Sequence, residues 1–290
     1  MKLVLVVNRT KEQAVRAALD IASWCRARGI ECVEVSGSLR EARDAVARAA
    51  TQASEVVACA RTQASDLVAC ALGGDGTVLR AAAIAVEHGI PVLGVNVGSL
   101  GFLSQTSLDL LFPALESLAR GEYSVEGRMR LGFESADCSG SALNDLVVAA
   151  VEPRLLKMSL SWGGEPATAL SGDGMIFSTP TGTTAYSLSL GGPIVVPTAE
   201  CLVVTSHAAH VLGVRSLVFS RDDTIQLSAS AEVRLVADGD EVGRLPAGRE
   251  ISVRRAANPT LLVRPAGARG FFATLTDKLN WPGTERRQAS

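Results

Sequence analysis

The pattern of apolar and polar positions changes character about midway along the chain. In the first part, continuous apolar runs alternate with stretches of helical spacing. Leu3 to Val7 is such a run and reads as a buried strand. Ala14, Val15, Ala18, Ile21, Ala22 and Cys25 then recur at three- and four-residue intervals, predicting a helix from Lys11 to Arg28 that stops at Gly29. Ile30 to Val35 is a second strand, and the strand–helix–strand order argues for a parallel sheet covered by helices. Helical spacing resumes from Leu39 through Ala42, Ala45, Ala49 and Ala53. Residues 51–61 are then repeated almost at once as 62–72, with changes only at Glu55/Asp66, Val56/Leu67 and Arg61/Leu72. Two copies are too few for a solenoid, so a local duplication is the reading. The copies are expected to differ in structure: Leu67 to Leu72 as a buried central strand, because a glycine turn follows it, and Val56 to Ala60 as helix end or loop.

That turn, Leu72-Gly73-Gly74-Asp75-Gly76-Thr77, cuts off the apolar run, and a helical pattern (Val78, Leu79, Ala82, Ala83, Val86) begins directly after it. Ile90 to Asn96 is a further strand, ending in a second glycine-punctuated turn at 97–103, and Leu108 to Arg120 is a short amphipathic helix. From Arg128 the runs shorten: Arg130–Glu134, Leu146–Val151, Met158–Trp162, Thr224–Ser228, Glu232–Ala237 and Glu250–Arg254, all broken by Gly, Pro, Ser and Asp. This spacing predicts a β-rich second domain. The expected organisation is an α/β nucleotide-binding domain at 1–127 and a β domain at 128–270. The apolar-studded segment from Phe271 is expected to pack back onto the first domain, and the tail from Arg286 to be disordered.

Composition narrows the function without choosing it. The 290 residues, 47% hydrophobic and 20% charged with net charge −2, describe a globular chain without a basic footprint for nucleic acid, and 4% aromatic residues supply few stacking platforms. No apolar run approaches the length of a membrane span. The N-terminus is too short for a signal peptide and reads as the first strand. Six cysteines at 25, 32, 59, 70, 138 and 201 lack any C-x-x-C spacing and read as thiols of a reducing cytoplasm.

Three stretches carry candidate chemistry. Glycines at 73, 74 and 76 before a helix start permit close approach of a phosphate, and Asp75 among them reads either as a metal ligand or proton acceptor for phosphoryl transfer, or as a helix cap. Ser171 to Pro193 concentrates hydroxyls and glycines, and Tyr186 within it offers a ring and a hydrogen bond; a turn network is the alternative. Asn144-Asp145 sets an amide and a carboxylate at a strand start, where they could read an adenine edge and ribose hydroxyls, or form an ordinary turn. Asp238-Gly239 reads first as a hairpin. His207 and His210, three apart, could share a face and hold a metal if they lay on a helix, but no third metal ligand accompanies them. Neither G-x-x-x-x-G-K-[ST] nor G-x-G-x-x-G occurs.

Taken in order, Gly73-Gly74-Asp75-Gly76-Thr77, Pro91 to Asn96 with Leu100-Gly101-Phe102-Leu103, Asn144-Asp145, Asp173-Gly174, Thr179 to Ser187, His210, Arg215, Asp238-Gly239 and Lys278-Leu279-Asn280-Trp281 resemble the motif set of NAD kinases. The resemblance spans nearly the whole chain apart from the duplication and the tail. It implies an N-terminal α/β domain, a C-terminal β-sandwich, a site in the cleft, and a homodimer or homotetramer in the cytoplasm. It also implies transfer of the γ-phosphoryl of ATP, or of polyphosphate, with Mg²⁺, to the 2′-hydroxyl of the adenosine ribose of NAD. By that resemblance Asp75 is the proton acceptor and Gly76 and Arg80 line the nucleotide site. Asn144, Asp145 and Asp173 hold the dinucleotide, and Thr184, Ala185, Tyr186, Ser187, Leu188 and Ser189 close over it. The chain departs from the family where Asp145 replaces the usual Glu, Asp240 a common Gln, and Ser171 stands near a usual basic residue.

Overall fold

The computed structural model describes residues 1–35, 41, 43–44, 46–47, 67–98, 101–152, 154–211 and 213–282. The chain divides into two units, one made of residues 1–126 and 260–290, the other of 127–259.

The first unit is built on a seven-stranded sheet. Its strands are β1 (Lys2–Val7), β2 (Glu31–Val35), β3 (Leu67–Gly73), β4 (Val92–Asn96), the short β5 (Thr106–Ser107) beside β4, β6 (Tyr123–Arg128), and a late strand, Thr260–Pro265. The order is β2-β1-β3-β4, then the late strand, then β6. The pairs β1/β2, β1/β3, β3/β4 and β4/late strand are parallel. Every residue of β3 and β4 is buried, which is why both read as unbroken apolar runs. The second copy of the duplication is thus the central strand expected of it; the Val56 to Ala60 expectation lies outside the described residues. Glu41, Arg43, Asp44, Val46 and Ala47 are helical, as the spacing after Leu39 predicts.

Helix α1 (Glu12–Ala27) buries Ala14, Ala17, Ala18, Ile21 and Cys25, one stripe at helical spacing, and ends before Gly29, whose φ of 66° a side chain would resist. Helix α2 (Asp75–Ala85) starts two residues after β3 and buries Val78, Ala81, Ala82, Ile84 and Ala85. Small residues bring it close to the sheet: a Cβ on Gly94 of β4 would lie 2.9 Å from Val78 Cγ2. Helix α3 (Leu111–Ala119) packs Leu111, Leu115 and Leu118 into the same core as α1. The late strand places Thr260–Pro265 in this sheet, so the β-rich unit ends at 259 and not at 270. Its register beside β4, Leu262 opposite Val92, is a long-range pairing with no local sequence mark.

The second unit is a sandwich of two six-stranded antiparallel sheets. Its strands are β7 (Leu131–Glu134), β8 (Ser139–Ala142), β9 (Asp145–Ala150), β10 (Leu156–Trp162), β11 (Glu165–Gly172), β12 (Gly174–Ser178), β13 (Cys201–His207), β14 (Leu217–Ser220), β15 (Ile225–Ala229), β16 (Val233–Ala237), β17 (Asp240–Leu245) and β18 (Glu250–Arg255). One sheet runs β11-β10-β15-β18-β7-β8, the other β14-β13-β12-β9-β16-β17. Leu131, Phe133, Leu160, Leu227 and Val253 from the first meet Leu146, Val148, Phe177, Leu202 and Leu235 from the second in one core. Alternating burial along β10, β15 and β16 is the period-two signal of strands with one face inward. One sequence expectation fails here: the hydroxyl-rich stretch read as turn chemistry contains a wholly buried strand, β12. His207 closes β13, so the helix on which it could share a face with His210 does not form there.

Candidate active site

In the first unit the chain moves from β1 outward to β2 but from β3 to β4 on the other side, so the topology reverses between β1 and β3. Open α/β sheets take ligands beyond the carboxyl ends of such strands. A cavity of about 460 Å³ lies there, lined by Asn8, Arg9, Thr10 and Lys11 after β1 and by Gly74, Gly76, Thr77 and Arg80 after β3. Asn8 Oδ1 shapes its own loop, accepting the Thr10 N–H at 3.1 Å and the Thr10 hydroxyl at 2.7 Å. Lys11 Nζ donates to the Val97 carbonyl at 2.6 Å, and Arg9 is ion-paired to Glu34 at 2.6 Å. Three cations and the N-terminus of an eleven-residue helix make this an anion-attracting crevice.

Asp75 opens that helix without capping it. The N-cap residue is Gly74, which has no side-chain bond to offer, and the Asp75 carboxylate turns to the neighbouring turn instead. Its Oδ2 accepts the Phe102 N–H at 2.8 Å and its Oδ1 the Leu103 N–H at 3.1 Å. Gly101 is what lets the turn come so near: a Cβ there would lie 1.8 Å from Asp75 Oδ1. Phe102 is itself covered by the C-terminal helix Phe271–Leu279, with the Phe271 ring centroid 6.4 Å away and Lys278 Nζ 5.0 Å from the ring. Gly74 and Gly76 face open space, and Gly76 and Arg80 are exposed.

In the second unit Asn144 and Asp145 stand where β9 begins. Asn144 is half-buried and Asp145 is 6% exposed. Burial, with the Asp238 carboxylate nearby, pushes the Asp145 carboxyl up to about 7. Asp238 accepts the backbone N–H groups of Leu143 and Asn144, each at 2.7 Å, and more weakly that of Asp145 at 3.4 Å. Asp173 is exposed in the turn between β11 and β12. The segment after β12 folds as a 3-10 turn, Gly182–Thr184, and a single helical turn, Tyr186–Ser189. Much of its hydroxyl chemistry is internal. Thr183 Oγ1 donates to the Pro180 carbonyl at 2.7 Å, Thr184 Oγ1 to that of Thr181 at 3.2 Å, and buried Ser187 meets Thr205 Oγ1 at 2.9 Å. Ala185 and Leu188 are half-buried, while Tyr186 and Ser189 are exposed; the Tyr186 hydroxyl lies 3.4 Å from His207 Nε2.

Residues 3–123 match the ATP-NAD kinase N-terminal domain, and residues 143–265 match the ATP-NAD kinase C-terminal domain. This chain belongs to the NAD kinase family. A NAD kinase from Heliobacterium modesticaldum is 37% identical to it over 290 aligned residues, covering 95% of this chain and 97% of that protein. One from Prosthecochloris aestuarii is 35% identical with full coverage of both, 100% each. Among solved structures, a yeast NADH kinase complexed with NADH superposes with a TM-score of 0.81 at 20% identity, covering 99% of this chain and 89% of that one. An Archaeoglobus fulgidus NAD kinase in complex with ATP does so with a TM-score of 0.75 at 23% identity, covering 98% and 100%. At these identities the two structures show a common fold.

Seen within this family fold, the sequence motifs sort themselves. In the first unit Gly76 and Arg80 line one crevice while the Asp75 carboxylate, between the two glycines, turns to the Phe102 and Leu103 amides, and sequence reasoning missed the loop from Asn8 to Lys11 opposite Gly76 and Arg80. The missing signal was topological, because only the strand order puts β1 beside β3. In the second unit the Asn144-Asp145 turn adjoins the Thr179 to Gly182 segment: the Thr179 N–H donates to the Asn144 carbonyl at 2.9 Å, and a Cβ on Gly182 would lie 2.0 Å from that oxygen. Asp238, read as a hairpin residue, was missed as the acceptor for this turn. Its φ of 51° is the turn signature, while its carboxylate serves residues almost a hundred positions earlier.

Proposed function

We propose that this chain is an NAD kinase that transfers the γ-phosphoryl of MgATP to the 2′-hydroxyl of the adenosine ribose of NAD, giving NADP and ADP. The observation that carries the reading is Asp75, held by two amides and set between Gly74 and Gly76, glycines that line a cationic crevice and leave room for phosphate. The donor's phosphates lie against Gly74, Gly76 and the start of α2, with Lys11 and Arg80 offsetting their charge. As the ribose oxygen bonds to the γ-phosphorus, the bond to the β,γ-bridging oxygen breaks and ADP leaves. The hydroxyl proton passes to Asp75.

Asn144, Asp145 and Asp173 take the dinucleotide's polar groups, and residues 184–189 cover it, Tyr186 supplying an exposed ring. Buried Asp145, with no side-chain hydrogen bond of its own among the described residues, gains its missing donors from ribose hydroxyls. Magnesium enters as part of the MgATP substrate, bridging its phosphates. We place the protein in the cytoplasm as a homo-oligomer: free thiols at 25, 32, 70, 138 and 201 suit a reducing compartment, and Leu217 and Val218 are exposed on edge strand β14.

The test is turnover. Purified protein, MgATP and NAD, coupled to an NADP-specific dehydrogenase, should give a signal proportional to protein. Replacing ATP by inorganic polyphosphate in a parallel arm identifies the donor. Absence of NADP in both arms contradicts the reading.

A further inference from the structure

All six backbone polar groups of Leu143, Asn144 and Asp145 have partners. The three N–H groups go to the Asp238 carboxylate. The Leu143 carbonyl accepts the Thr179 hydroxyl at 2.5 Å, that of Asn144 the Thr179 N–H at 2.9 Å, and that of Asp145 the Asp238 N–H at 3.1 Å. The side chains of Asn144 and Asp145 are what this turn has left to offer a ligand. A hairpin residue does not need to do this: Gly or Asn would adopt the left-handed backbone of Asp238 with less strain, and neither carries two acceptor oxygens. The carboxylate is also expensive to keep. Burial pushes its proton affinity up, and the amides together with the nearby Arg130 guanidinium pull it back. Arg130 is 1% exposed and donates to the Ser141 carbonyl and hydroxyl, both at 3.1 Å, so it is fixed beside β8.

We propose that Asp238, backed by the buried Arg130, is a positioning residue for dinucleotide binding, holding the Leu143–Asp145 backbone so that the Asn144 and Asp145 side chains meet NAD. This rests on the reading of those two side chains as dinucleotide contacts. The charged groups acting on Asp145 and its clamp are Asp238 from the end of β16 and Arg130 from the residue before β7.

The test is Asp238→Asn, which keeps the volume but turns an NH₂ toward an N–H. The Michaelis constant for NAD should rise about tenfold or more, with that for ATP within about twofold of the parent. NAD affinity of the unaltered chain should rise as pH passes about 7, where Asp145 ionises. In the variant the neighbouring negative charge is gone, so that rise should move to lower pH. Equal changes in both Michaelis constants, or an unmoved pH midpoint, overturn the clamp. Should the variant not fold, hydrogen exchange on the unaltered chain decides. Leu143 and Asn144 amides protected to the level of the β-sandwich core support the clamp, and exchange at loop rates overturns it. An unaltered chain that makes NADP beside a variant with parental constants removes the clamp and leaves the function standing. An unaltered chain that makes no NADP removes the function, and this role with it.

Discussion

The two units treat their chemistry-bearing carboxylates in opposite ways. In the first, Asp75 is itself the acceptor: Phe102 and Leu103 amides occupy both of its oxygens, and Gly101 gives them access. In the second, the amides beside Asp145 belong to another acid, Asp238, and Asp145 is buried without a side-chain hydrogen bond among the described residues. The difference fits the roles proposed for the two residues. A group that orients a hydroxyl for in-line attack must not move, because a misplacement of about 1 Å can cost about a hundredfold in rate. A group that binds a sugar must be left with unfilled acceptors, so that ligand hydroxyls supply what burial removed. On those proposed roles the first unit fixes its carboxylate, and the second leaves the Asp145 oxygens free of protein donors among the described residues.

The largest expected effect comes from loosening the fixed carboxylate without touching it. In Gly101→Ala the new methyl overlaps Asp75 Oδ1 and drives the carboxylate off its amides. Steady-state kinetics should show turnover down by about a hundredfold or more, with NAD affinity changed by no more than about threefold. An unchanged turnover would mean that the position of Asp75 does not matter. The next effect is on the unmet acceptor. Asp145→Ala should raise the Michaelis constant for NAD by about one to two orders of magnitude, the loss of a charge-assisted hydrogen bond of about 1.5–3 kcal/mol. A parental constant would take Asp145 out of the site.

The smallest effect is on stability and belongs to the second unit. Folding raises the Asp145 carboxyl from its ordinary value of 3.8 to about 7, so the folded state keeps a proton that the unfolded chain has released. Stability from this residue is therefore present at low pH, falls between about pH 4 and pH 7, and stays lost above. Asp145→Asn cannot ionise, and denaturant unfolding at pH 8 should find it more stable than the parent by about 1–3 kcal/mol, with the gain vanishing near pH 4. A variant less stable than the parent at pH 8 would show that the buried carboxylate has partners that offset its desolvation.

How far the sequence revealed this arrangement depended on the range of the contacts. Local patterns gave β1, α1, β3, α2 and β4, because an all-buried strand followed by glycines and a helical stripe is written in consecutive residues. The central placement of Leu67–Gly73 followed from its unbroken apolar run. What escaped was long-range. Thr260–Pro265 joins a sheet whose other strands lie within residues 2–128, and no local signal assigns it there. Strand β12 was masked by surrounding Gly, Ser and Thr, whose hydroxyls turn out to satisfy the turn itself through Thr179, Thr183 and Ser187. At the site, Asp75 and Asn144-Asp145 were legible as residue types in turns. Their supports were not, because Asp75 is held from 27 and 28 residues away and the Asn144 turn from 94.

On the function proposed above, Asp75 acts on the reacting hydroxyl and does not merely secure a turn. Asp75→Asn keeps the shape and one acceptor oxygen but removes the basic carboxylate. Turnover and NAD affinity should be measured together on the folded variant. The account predicts a fall in turnover of at least about a hundredfold, within the usual range for loss of a general base, while NAD binds within a few-fold of the parent. Turnover within a few-fold of the parent, in a variant that still binds NAD, would contradict it and leave Asp75 as an anchor for the Gly101–Leu103 turn.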